Sequence, residues 1–313
     1  MNYDIYKLTP IEQHGGMSFK REDKFAPNGY GGINGSKLRQ CIHLIDKWHE
    51  QGYVGVVSGG VSESPQHAFI SAVCKDYGMG CVIVTAKDDI SKSKYLKIAQ
   101  RNGAVFQKSK VGYAKSLNAQ AKKLLERLPN HKLLEVNITL DSRFNNYEDI
   151  KAFHEAGAYQ TQNIPASIDT IIIPCGSCNS VTSVLYGLMK YKIDNIKKVV
   201  LLGIGNNGSN NIDYVNKRLR NICKQGTGID YDSFYDWSFR GNIRKKIQLD
   251  YYNLNGTGYC QYSDLMPATV GDINFHPRYE GKCINYLQEH KVLTDAYWKP
   301  STLFWVVGSD IQP

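Results

Sequence analysis

No stretch of this 313-residue chain approaches the roughly 20 consecutive apolar residues that cross a bilayer, so a membrane-spanning helix is not expected. The N-terminal MNYDIYKLTP has no basic stretch followed by an apolar run, and no secretion signal is expected either. Together these predict a soluble, cytoplasmic protein without a membrane partner. Internal repeats and low-complexity tracts are missing as well, which excludes solenoids and disordered linkers. The eight cysteines (Cys41, Cys74, Cys81, Cys175, Cys178, Cys223, Cys260, Cys283) are scattered, so reduced thiols are expected rather than a disulfide framework. Cys175 and Cys178 form a CxxC, but no second CxxC or HxxxH supplies the remaining ligands, and no metal is expected. Acids are scarce in one region. Between Lys87 and Lys132 twelve Lys or Arg face three acids, an excess equal to the net charge of +9 of the whole chain. Such a segment is either a solvated face or a surface for a polyanion such as nucleic acid.

What is present is an alternation of strand-like and helix-like segments. Apolar, β-branched runs at 53–58, 81–85, 170–174, 198–203 and 302–307 read as buried strands, and most precede amphipathic stretches. This predicts an α/β fold with mainly parallel sheets and flanking helices. With 42% hydrophobic residues, the length suits two lobes.

Three junctions open helices and direct unpaired backbone N–H groups at whatever lies before them, an arrangement that binds anions. In the first, NGSKLRQCIHLIDKWHEQG, residues Leu38, Cys41, Ile42, Ile45 and Trp48 share a face, Ser36 is positioned to cap, and Gly52 ends the run. In the second, SGGVSESPQHAF, Ser64 is a candidate N-cap with Pro65 at the first helical position. The third, IIIPCGSCNSVTSVLYGLMK, is a strand, a small-residue turn and a helix. Lys37, in the first turn of its helix, is a candidate Schiff-base lysine, because burial and a neighbouring helix N-terminus both favour loss of its proton. Its bland reading is a surface lysine.

The order of the pieces decides between them. KREDKFAPNGYGGINGSKLRQ at 20–40, SGGVSESPQHA at 58–68, PCGSCNS at 174–180 and RYEGK at 278–282 resemble the fold-type II pyridoxal-phosphate enzymes, the tryptophan synthase β-like superfamily, over nearly the whole chain. The closest look is to 1-aminocyclopropane-1-carboxylate deaminase and D-cysteine desulfhydrase. The resemblance implies a pyridoxal 5′-phosphate cofactor held as a Schiff base on Lys37. It implies a phosphate cup at Gly176, Ser177, Cys178, Asn179 and Ser180, where such cups usually carry more glycine. A loop with Ser62, Glu63, Ser64 and Gln66 would bind the substrate carboxylate. Tyr279 would lie beside the substrate, and Glu280 would face the pyridine nitrogen and keep it protonated, so that the ring absorbs a carbanion. It further implies a large domain of residues 1–45 and 160–313, a small inserted one of 46–159, a cleft between them, and a homodimer.

The activity expected is that of a lyase or deaminase on an amino acid. One alternative keeps the cofactor and places the amino-acid group on nucleic acid, held by the basic segment and by Arg240, Arg244, Lys245 and Lys246 beside Tyr235, Trp237 and Phe239. Another is a catalytically silent binding protein of this fold. A third takes GIGNNG at 203–208 as a dinucleotide loop, although no acidic residue ends a strand about 20 residues on.

Overall fold

The computed structural model describes residues 3–27, 33–86, 91–135, 147–204, 208–224, 235–236 and 247–308, with no side-chain description for 208–214, 224 and 235–236. Strands β1 (Ile11–His14), β2 (Met17–Arg21), β3 (Gly55–Gly59), β4 (Gly80–Ala86), β5 (Val105–Ser109), β6 (His131–Leu133), β7 (Thr170–Cys175), β8 (Lys198–Gly203), β9 (Tyr235–Asp236), β10 (Ile247–Asn253), β11 (Thr269–Val270), β12 (Ile273–Asn274) and β13 (Thr302–Val306) are laid out along the chain. Helices α1 (Ser36–Glu50), α2 (Gln66–Asp76), α3 (Lys94–Arg101), α4 (Ala114–Leu125), α5 (Tyr147–Tyr159), α6 (Asn179–Lys190) and α7 (Gly208–Lys224) alternate with them, and helix Glu280–Glu289 precedes the last strand.

Among the described residues a seven-stranded sheet runs β1-β2-β13-β7-β8-β10-β9, parallel throughout except for the β1–β2 pair. A second, four-stranded sheet runs β5-β4-β3-β6 and is wholly parallel. The inner strands β3, β7 and β13 are buried at every position, which is why they read as unbroken apolar runs rather than alternating ones. The α/β class expected from the sequence is therefore the architecture observed.

Helix α1 buries Leu38, Cys41, Ile42, Ile45 and Trp48 as its spacing predicts, packing against α2 and α5, and α5 lies in turn on α6. Trp48 donates to Asp149 on α5 (3.0 Å), and that carboxylate also receives Lys47 and Lys132. Two cap readings are corrected. Gly35 (φ +100°), not Ser36, occupies the N-cap of α1, because Ser36 is already helical, and its buried hydroxyl has no partner. Helix α2 starts at Gln66 with Pro65 as its cap, one residue later than expected, since Pro65 sits just before the helical hydrogen bonds begin.

The free-thiol expectation also fails at one pair. Cys175 and Cys178 are joined in a disulfide, because the turn after β7 brings their Cα atoms to 4.8 Å, while the other six cysteines are free and buried. No helix among the described residues is long and apolar enough to cross a membrane, and no cluster of side chains there is arranged to hold a metal ion.

Candidate active site

Parallel strands deliver their loops to one edge, and here the carboxyl ends of β3, β7, β8 and β13 border a single cleft. Its wall includes Lys37, Ser64, Gly176, Ser177, Cys178, Asn179, Ser180, Tyr279 and Glu280, so four sequence segments far apart in the chain meet there.

Lys37 stands in the first turn of α1, whose start is clamped by the last strand: Ser36 N–H donates to the Val307 carbonyl at 2.9 Å. A side chain at position 35 would run into that same carbonyl, so the junction admits only glycine. Burial lowers the Lys37 pKa to about 8, Cys41 opposing and the Arg218 guanidinium assisting. The amine thus loses its proton far more readily than an exposed lysine, as a carbonyl-binding lysine must.

The cup is the turn between β7 and α6. Cys178 takes the left-handed conformation (φ 58°, ψ 20°), which explains why a glycine suits that position and shows that the disulfide-bonded cysteine adopts it here. Ser177, Cys178, Asn179 and Ser180 border the cleft at the N-terminus of a 12-residue helix, an arrangement for a phosphate.

Glu280 is fully buried. Its Oε1 accepts the backbone N–H groups of Val307 and Gly308, each at 3.0 Å, while Oε2 has no partner. Desolvation pushes its pKa up to about 8, those N–H groups opposing. A lone, buried carboxyl oxygen on the cleft wall asks for a donor, and the protonated nitrogen of a pyridine ring would be one. With an activated lysine and a phosphate cup in the same cleft, the residues fit pyridoxal phosphate.

The loop Ser62–Gln66 is divided in its roles. Ser64 borders the cleft; Ser62 accepts Ser93 Oγ on its carbonyl at 2.7 Å, and Glu63 lies 3.6 Å from Arg278. The Gln66 amide turns away from the cleft, donating to Ser58 Oγ and the Leu134 carbonyl, because the buried interior beside β3 needs those partners filled. Tyr279 meets the Tyr262 hydroxyl at 3.3 Å, and burial drives its pKa well up.

Several wall residues carried no sequence signal: Asn34, Gln40, Tyr262 and His276. The Arg278 N–H donates to His276 Nδ1 (3.1 Å), so Nε2 carries the proton and donates to Tyr95 Oη (3.0 Å). Of GIGNNG, Gly203 ends β8 against the Tyr251 ring, Ile204 borders the cleft, and 205–207 lie outside the described residues. The side chains of the Arg240–Lys246 patch and its aromatics also lie outside them.

The basic segment is split. Lys122 and Lys132 are paired with Glu135 and Asp149, and Lys87 lies outside the described residues. Lys92, Lys94, Lys110 and Lys115 follow the carboxyl ends of β4 and β5 and Lys108 is the penultimate residue of β5, on the edge that carries Ser64, and the same stretch includes a largely exposed Tyr113. Arg101, Lys123 and Arg127 sit at the opposite ends of α3 and α4.

No protein-family model matches the chain. It is 34% identical over 355 aligned residues, covering 97% of this chain and 82% of the relative, to an O-seryl-dTMP PLP-dependent decarboxylase of Salmonella phage ViI. Its fold is similar to that of a crystallised ACC deaminase homologue (TM-score 0.73, 16% identity, 100% of this chain and 96% of the other). It is also similar to diaminopropionate ammonia lyase from Escherichia coli, solved with an aminoacrylate–PLP reaction intermediate (TM-score 0.65, 9% identity, 99% and 86% coverage).

Proposed function

The chain belongs to the fold-type II pyridoxal-phosphate enzymes, in one family with the phage decarboxylase, and from that premise we propose that it decarboxylates an amino-acid group carried on a nucleotide. The observation that carries the reading is the match to that decarboxylase along almost the whole chain. The lyase expected from the sequence is thereby kept, with a carbon–carbon bond as the one broken. The preference moves from a free amino acid to the nucleotide-linked alternative.

When bound, pyridoxal phosphate supplies an electron sink for the pair left at Cα when a bond there breaks. The protein's own groups do the rest. Lys37 would hold the cofactor, and the N–H groups around 176–180 would hold its phosphate. Glu280 is fixed by Val307 and Gly308 through Oε1, and its Oε2, with a pKa of about 8, is the group that would share a proton with the ring nitrogen. Ser64, beside the start of α2, orients the substrate carboxylate, and Tyr279 lines the substrate's side of the cleft. The Cα–carboxyl bond breaks, carbon dioxide leaves, and Cα receives a proton, for which Lys37 Nζ, with its pKa of about 8, is the donor assigned.

The lysines and the exposed Tyr113 on the edge that carries Ser64 support a nucleotide or nucleic acid at the cleft mouth, since cations hold phosphates and aromatic faces stack on bases. Residues 46–159 would close over 1–45 and 160–313, a reading supported by the Tyr95–His276 and Glu63–Arg278 contacts. A homodimer completes the proposal. The experiment offers purified, cofactor-loaded protein seryl-thymidine as nucleotide and within an oligonucleotide, beside free serine, and follows carbon dioxide release. Release from either linked form and not from serine, lost in Lys37→Ala, is expected; turnover of free serine alone overturns the nucleotide-linked substrate.

A further inference from the structure

The cup has a support that no motif announces. Arg218, on α7 some forty residues beyond the cup, is almost wholly buried, with 2% of its surface exposed. Its Nη1 donates to Asn179 Oδ1 at 2.9 Å and to the Ser177 carbonyl at 3.4 Å. These two residues flank Cys178, the left-handed residue of the turn. A non-glycine side chain in that conformation persists only where the surroundings hold it, and Arg218 grips both of its neighbours. The grip also leaves a permanent positive charge behind a turn whose N–H groups face the cleft.

We propose that Arg218 is a positioning residue for the cofactor's phosphate: it holds the Ser177–Asn179 turn in its binding shape and adds a fixed cation behind it. Ordinary fold-type II cups are glycine-rich turns, whereas this one has cysteine and asparagine where glycine would otherwise be expected. A lysine in place of Arg218 would keep the charge, but its ammonium sits on a flexible stem, whereas the planar guanidinium fixes the directions of the Nη1 N–H bonds that reach Asn179 and Ser177. The same charge also acts on two neighbouring titratable groups. Burial is the main cause that lowers the proton affinity of Lys37 and of the buried His154, whose Nδ1 meets Ser183 Oγ at 3.0 Å, and the Arg218 charge adds to it in both. The ionisable groups that face Lys37 are Cys41, His67 and Arg218.

The test compares pyridoxal phosphate with pyridoxal, which lacks the phosphate, by absorbance titration of cofactor-free protein. Wild type is set against Arg218→Met, Arg218→Lys and Asn179→Ala. The expected result is a loss of at least about tenfold in affinity for pyridoxal phosphate in Arg218→Met, with pyridoxal binding little changed. Arg218→Lys should recover part of the loss, and the pH midpoint for cofactor attachment at Lys37 should move upward in Arg218→Met. Equal weakening of both ligands, or no weakening of either, overturns the proposal. Should Arg218→Met fail to fold, the other two variants decide: an unchanged ratio of the two affinities in both overturns it, and a fall in either supports it. None of these readouts depends on the substrate.

Discussion

Lys37, half-buried on the cleft wall, and Glu280, fully buried, have opposite preferences for their protons, and that opposition has a measurable consequence in cofactor-free protein. Glu280 is raised from 4.5 to about 8, so between those values the folded chain holds a proton that the unfolded chain has released. Its contribution to stability is complete below about 4.5 and is lost as pH rises towards 8. Lys37 is lowered from 10.5 to about 8, so the unfolded chain holds the extra proton between 8 and 10.5, and stability rises over that window. For these two groups the apo-protein is least stable near pH 8. Urea denaturation across pH should show Glu280→Gln losing the fall below pH 8 and Lys37→Met losing the rise above it. With cofactor bound, Glu280→Gln should bind it nearly as well as wild type but turn over slower by on the order of 100-fold, the size of a lost proton-sharing group. Steady-state kinetics beside cofactor titration check this. Both residues were legible because each lies in a short ordered motif, SKLR and RYEGK. Tyr262, His276 and Arg218 were not. Each reaches the site from a segment whose local pattern is that of an ordinary loop or amphipathic helix.

Among the elements, the strands were the most readable. Strands β3, β4, β7, β8 and β13 fall within a few residues of the runs that predicted them, because strands buried on both faces carry an unmistakable apolar block. The short or partly exposed β5, β6 and β10 were not distinguished, their composition being that of surface. Helix starts were less secure, since Ser36 and Ser64 are good caps by type, and the backbone placed Gly35 and Pro65 there instead. The clamp between α1 and β13 makes a sharp prediction. Gly35→Ala must either move the Val307 carbonyl or abandon φ +100°, costing roughly 1–3 kcal/mol of stability. It should also weaken cofactor attachment, because Lys37 is two residues away. Thermal unfolding and absorbance titration measure the two effects separately, and a variant as stable as wild type refutes the clamp.

For the molecule as a whole, the excess charge was legible in amount but not in location, since only the sheet order reveals which lysines share an edge with Ser64. If Lys108, Lys110 and Lys115 bind phosphates, their replacement by glutamine should lower the salt dependence of binding to a short DNA duplex. The slope of log affinity against log salt should shrink by about 0.9 for each phosphate no longer neutralised. Replacing Arg101, Lys123 and Arg127 at the far edge should leave it nearly unchanged. Equal effects from both triple variants would mean a diffuse attraction to charge and no path to the cleft.

The hold on Glu280 has an evolutionary side. Its Oε1 is bound by main-chain N–H groups at 307 and 308, which every residue but proline supplies whatever its side chain. Lineages can therefore rewrite that turn letter by letter while the acid stays in place. The constraint is carried by backbone shape at 307 and 308, so a comparison of residue identities alone would overlook its importance.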